Sequence, residues 1–130
     1  MTIPTQTKES RPVFLNLLHI HFPVPAVMSI IHRITGAGMG LSIIPLIWLF
    51  DLSLRDQQGF SEAALLYNSL PIQLILPVAL WGLMHHLLAG IRYLFIDAGI
   101  GVERAVARSS AWAVVLCAPI LALILWAAFP

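Results

Sequence analysis

The chain has 130 residues, 59% of them apolar and 10% charged, whereas a soluble domain carries charge on about a quarter of its residues. Seven basic and six acidic side chains nearly cancel, so no field recruits nucleic acid or an acidic substrate. Cys117 is the sole cysteine, which excludes an intramolecular disulfide and an iron–sulfur cluster held by this chain alone.

In chain order, residues 1–25 are polar through Ser10 and interrupted by Pro12, His19, His21, Pro23 and Pro25 where a signal peptide needs an apolar stretch. They are expected to form a cytoplasmic or interfacial lead-in, with Pro25 in the first turn of a helix. The run Ile34 to Phe50 carries no charge. A bilayer needs about 20 residues, so a first spanning helix over 26–50 takes in Ser29, His32 and Arg33. Residues 51–69, with Gly59 as a turn, are expected to form an external loop. The uncharged run Ala63 to Ile91 yields a second spanning helix over 70–96, which brings Arg92 into its last turns. Residues 97–108 form a cytoplasmic loop. A third helix over 109–130 is uncharged, with Trp112 and Trp126 as interfacial anchors. Pro45, Pro77 and Pro119 lie inside the three spans, which membrane bundles tolerate when neighbours repair the backbone. The fold class is therefore an all-α membrane protein with three transmembrane helices.

Lys8, Arg11, Arg33, Arg92, Arg104 and Arg108 gather at the N-terminal segment and the second loop, whereas the first loop carries Asp51, Asp56 and Glu62 against Arg55. The positive-inside rule then sets the N-terminus in the cytoplasm and the C-terminus outside.

Ionisable residues inside a span are expensive and need a reason. On a helix Ser29 lies three residues from His32 and four from Arg33, so the three share one side. Arg33 stands near a helix N-terminus, where the macrodipole disfavours a cation. Either an anionic group compensates it or it reaches up to the headgroups. A second set is Gly82, His86, Gly90, Tyr93 and Asp97, which fall in one narrow helical stripe. Glycines one turn above and below an imidazole suit a flat ligand such as a porphyrin. The same spacing also serves close helix packing through small residues. His85 faces elsewhere, on the side of Arg92. With antiparallel first and second helices, Ser29, His32 and Arg33 lie at a depth similar to Arg92 and Tyr93, with His86 deeper.

These residues carry a resemblance. The segments Arg11-Pro12 with Leu15, Leu17, Ile20, Phe22 and Pro23, then Ser29-Ile30-x-His32-Arg33-x-Thr35-Gly36, then His86-x3-Gly90-Ile91-Arg92 with Asp97 resemble the cytochrome b556 membrane-anchor subunits of bacterial succinate dehydrogenase. The resemblance implies a bacterial inner-membrane anchor in a heteromeric helical bundle, sharing one haem b with a second small membrane anchor. It further implies a flavoprotein subunit, an iron–sulfur subunit and a ubiquinone site. His86 is then an axial ligand of the haem iron, Ser29 and Arg33 line the quinone site, and His32, Arg33 and Arg92 are cofactor-binding residues on the propionate side. Tyr93 stands where many relatives have histidine, so it offers a hydroxyl rather than a cation. Rival readings are a quinol:fumarate reductase anchor, a haem-free structural anchor, and a small transporter or receptor subunit.

Overall fold

A computed structural model describes residues 22–128. Four helices follow one another: α1 (Val24–Arg55), α2 (Gln57–Tyr67), α3 (Leu70–Asp97) and α4 (Arg104–Ala128). Among the described residues there is no strand. The Arg11-Pro12 segment and Pro130 lie outside these residues.

Three helices are long and apolar enough to cross a membrane: α1, α3 and α4. At 1.5 Å per residue they measure about 48, 42 and 38 Å, against a hydrocarbon core of about 30 Å, so each has length to spare for tilt or for interfacial turns. Their outward faces are apolar, as lipid requires: Leu41 and Ile44 are each 74% exposed, and Ile34, Leu74, Leu94 and Leu123 are exposed too. Pro45, Pro77 and Pro119 are inside α1, α3 and α4. Pro25 and Pro71 stand in first turns, where the missing N–H has no helical partner to lose.

The bundle is held together by small residues. Ala111, Val114, Ala118 and Ala122 are the buried stripe of α4, and Ala89 is the small residue among the buried ones of α3. Met28 of α1 joins Ala89, Ala111 and Val114 in the core cluster. Where lipid competes equally for apolar surface, close backbone approach and dispersion hold helices together, and alanine and glycine permit that approach.

The segment expected as an external loop is mostly helical. α1 continues to Arg55, where Arg55 and Asp51 form an exposed ion pair at 2.6 Å. Asp56 then breaks the helix in extended conformation and caps the next one, its Oδ1 accepting from Gly59 N–H at 2.7 Å. Gly59 is buried at the corner, where a Cβ would meet the Leu52 carbonyl, so the expected turn glycine is instead a packing glycine. The second loop is shorter than the sequence suggests because α4 begins at Arg104 rather than near 109. α3 closes in a Schellman motif, with Ile100 N–H donating to Phe95 O and Gly99 N–H to Ile96 O. Gly99 sits at φ 79°, a conformation that glycine alone adopts cheaply.

Removing the Asp56 cap tests this corner. Asp56→Ala is expected to cost about 1 kcal/mol locally, read as roughly fivefold faster amide exchange at the start of α2 with α3 unchanged. Equal exchange in both forms would show that the cap does not hold the corner.

Candidate functional site

The polar residues of the spans collect on the seam between α1 and α3, toward the start of α1 and the end of α3. From α1 come His32, Thr35 and Gly36; from α3 come Gly82, His86, Gly90 and Tyr93. Antiparallel packing brings them into register. The His32 and His86 rings stack with centroids 4.1 Å apart and planes 10° from parallel. Tyr93 meets His32 edge-on at 5.2 Å.

The α3 stripe seen in the sequence exists, but its glycines do not lie beside open space. Gly82 faces the Thr35 methyl, with 3.6 Å from a constructed Cβ to Cγ2, and Gly90 faces His32 Nε2 at 3.8 Å. The clearance attributed to a flat ligand is taken up by α1. The physical reason is that small residues on one helix let its neighbour come close.

His86 is half-buried. Its Nδ1 lies 3.1 Å from the His32 carbonyl oxygen, and a carbonyl only accepts, so Nδ1 carries the proton in this bond. Nε2 has no hydrogen-bond partner among the described residues and is not among the fully buried unpaired atoms. A histidine whose Nδ1–H is held by a backbone carbonyl has Nε2 left as a lone-pair donor, the arrangement found in imidazole ligands of metals.

Two further polar atoms on this seam, His32 Nε2 and Tyr93 Oη, are buried without a partner. Buried polar groups nearly always have one, so this pair marks where a polar ligand group or water is missing from the chain alone. Among the described residues no group of three or more His, Cys, Asp or Glu side chains is arranged for a metal. One imidazole with a free Nε2 beside unpaired polar atoms fits an axial haem ligand better than a protein-only metal cage.

The other expected site residues separate into different environments. Arg33 is exposed and makes no ion pair among the described residues. Ser29 is half-buried. Ser42, Ser53 and Ser109 bond back to their own helices, whereas Ser29 has no such bond among the described residues, so its hydroxyl remains free to donate. Arg92 is only 8% exposed and docks on α4: Nε donates to Ser110 Oγ at 2.9 Å and Nη2 to the Ala107 carbonyl at 2.8 Å. It was expected among the propionate-side hydrogen bonds, but two of its donors are directed to α4 because it lies on the His85 face of α3. Its charge is still close to the seam, with the guanidinium carbon 5.7 Å from the Tyr93 ring centroid. His85, 1% exposed, is packed beside Trp81 at 5.8 Å, apart from the His86 seam as the helical spacing indicates.

Sequence reasoning named Thr35 and Gly36 only as pieces of a motif. Gly36 was nevertheless discoverable, since it lies one turn from His32. Ser110, which anchors Arg92, left no signal beyond being a hydroxyl in an apolar helix.

The fold defines a multi-pass helical membrane subunit, and its α1–α3 seam holds an imidazole whose Nε2 has no partner among the described residues. A family profile described as succinate dehydrogenase/fumarate reductase transmembrane subunit matches residues 7–125. The chain belongs to that family. It is 33% identical over 115 residues to a succinate dehydrogenase cytochrome b556 subunit of Paracoccus denitrificans, covering 88% of each chain. A protein of the same name from Rickettsia bellii is 32% identical over 94% of this chain and 98% of its own. The one from Coxiella burnetii is 35% identical over 80% and 84% respectively.

Proposed function

We propose that the chain is the haem b-binding membrane anchor of a succinate:ubiquinone oxidoreductase in the bacterial inner membrane. The observation that carries the haem reading is the His86 Nδ1–His32 carbonyl bond at 3.1 Å, which leaves Nε2 for iron. The names of the near-full-length relatives support the same reading. Bound haem b supplies a one-electron store close to the quinone. His86 would hold the haem iron through Nε2, with a further ligand supplied by a second small membrane anchor. His32 and Tyr93 offer their unpaired Nε2 and hydroxyl to the propionates. Arg92 contributes positive charge from its station on α4, and Arg33 contributes it from the exposed side of α1.

Ser29 donates a hydrogen bond to a quinone oxygen, and Arg33 stabilises the negative charge that builds on that oxygen before protonation. The exposed Arg33 and the uncommitted Ser29 hydroxyl support this pairing. Succinate is oxidised elsewhere, on a flavoprotein subunit, and electrons arrive through an iron–sulfur subunit docked at the cytoplasmic end. The chain is thus a non-flavin part of an enzyme complex. The family also embraces fumarate reductase subunits, in which quinol oxidation runs the same parts in reverse; the potentials of the partners decide the direction.

Three measurements test this reading. In purified complex normalised to flavin, His86→Ala removes the b-type band from the dithionite-reduced minus oxidised spectrum, whereas His85→Ala retains it. The converse result would transfer the ligand role to His85. Arg33→Leu lowers succinate–quinone turnover about ten- to a hundredfold, the effect of about 1.5–3 kcal/mol from a charged hydrogen bond, and Ser29→Ala lowers it roughly fivefold, for about 1 kcal/mol. Electron transfer from succinate to an acceptor served by the upstream subunits stays near the parent rate in both. Parent quinone kinetics in both variants would remove Ser29 and Arg33 from the site. Reporter fusions after Ser10 and near Arg104 read as cytoplasmic, and those near Gln57 and after Pro130 as periplasmic; the reverse pattern would put the quinone site on the wrong side.

A further inference from the structure

We infer that Thr35 and Gly36 of α1 are positioning residues for His86, fixing which ring nitrogen is free and how strongly the other is hydrogen-bonded. The inference rests on the reading of His86 as a haem ligand, and it assigns a role to two residues that touch no ligand themselves.

The geometry starts at Gly36. A Cβ built there stands 2.7 Å from His86 Cε1 and 3.2 Å from Nδ1. Real Cβ atoms essentially never come within 3.0 Å of another heavy atom, so the imidazole lies edge-on against the α1 backbone in a space that only glycine leaves. The same ring is stacked on His32 at 4.1 Å. An alanine at 36 therefore drives the ring off α1. The Nδ1 to carbonyl distance, 3.1 Å, is already toward the long end for an N–H···O bond, so a displacement of several tenths of an ångström breaks it.

Thr35 acts on the acceptor. Its hydroxyl lies 2.9 Å from the Ile31 carbonyl and 3.0 Å from the His32 carbonyl. Its single proton is shared between the two, so the His32 oxygen accepts in part from the Thr35 hydroxyl besides the Gly36 N–H of its own helix and His86 Nδ1–H. A carbonyl has two lone pairs, so the threonine competes with His86 for its acceptor. Thr35 is 9% exposed, with its methyl against Gly82, so the hydroxyl is locked in this position. A stronger Nδ1–H···O bond makes an imidazole more basic and stabilises the oxidised metal; a weaker one does the reverse.

Two variants on one helix are consequently expected to move the haem in opposite directions. Thr35→Val keeps the shape, removes the competing donor and lowers the haem midpoint potential. Gly36→Ala breaks the bond and raises the potential or lowers haem per flavin. Thr35→Ser keeps the hydroxyl and restores the parent potential. The measurement is a redox titration of the b-type band in the complex purified from membranes, with low-temperature EPR of the oxidised form for ligand orientation. Residues that merely packed the seam would change thermal stability and leave the potential in place. Parent potentials in both Thr35→Val and Gly36→Ala, or shifts of the same sign, would overturn the inference. Should Gly36→Ala fail to assemble, the Thr35→Val and Thr35→Ser pair decides alone, and equal potentials in that pair count against it. The His86→Ala spectrum separates the two layers. A retained band there sinks the ligand reading itself, whereas a lost band with unmoved Thr35→Val and Gly36→Ala potentials sinks only the positioning role.

Discussion

Hydrocarbon offers no hydrogen bonds, and every polar group in a spanning helix must find its partner inside the protein. That constraint orders this molecule. It makes the backbone helical, turns large apolar side chains such as Leu41, Ile44 and Leu123 outward, and leaves small residues to bring the helices together. It also gives every polar side chain in a span a cost that something must offset. Thr35 bonds to the carbonyls one turn back, and Arg92 reaches to α4 for Ser110 and Ala107. His86 uses the His32 carbonyl.

The same constraint divides α3 into two working faces. On one, Gly82, His86 and Gly90 meet α1, and the close approach that the glycines allow is what brings the His32 carbonyl within reach of Nδ1. On the other, His85, Ala89 and Arg92 are the buried residues of the helix, and Arg92 ties α3 to α4. Adjacent histidines thus have unrelated surroundings because one residue along a helix is a turn of about 100°. His85 is sealed in the bundle beside Trp81, with no route to a large planar ligand evident from its 1% exposure, whereas His86 keeps a nitrogen outside the buried set.

Much of this was legible in the sequence because membrane spans are written in long uncharged runs: α1 and α3 enclose the stretches 26–50 and 70–96, and α4 covers 109–128 of the third. What was not legible depended on short capped elements and on tertiary partners. Asp56 separates α1 from α2 and caps the latter, and the polar composition of 51–69 resembles a loop whether or not the cap forms. The sequence places Gly82, His86 and Gly90 on one stripe of α3. What it faces was not readable, because glycines that clear room for a ligand and glycines that clear room for a helix have the same spacing. For Arg92 the helical angle gives the face, but nothing in the sequence announces that Ser110 and the Ala107 carbonyl receive two of its donors.

The polar atoms left over are themselves an argument about where a ligand's polar end lies. Three buried side-chain atoms lack partners among the described residues: His32 Nε2, Tyr93 Oη and His85 Nε2. Each unpaired atom costs about 1–3 kcal/mol, so a stable assembly should satisfy them from outside the chain. Two of the three are together on the α1–α3 seam, with rings 5.2 Å apart, and the Arg92 guanidinium stands 5.7 Å from the Tyr93 ring. The Tyr93 hydroxyl and the His32 ring nitrogen thus stand unpaired beside a cation. His85 has no comparable neighbour, so its unpaired nitrogen signals a helix-packing cost rather than a second binding point. The unpaired polar atoms of the α1–α3 seam therefore lie together at the level of His32 and Tyr93, near the start of α1, and not deeper at His86.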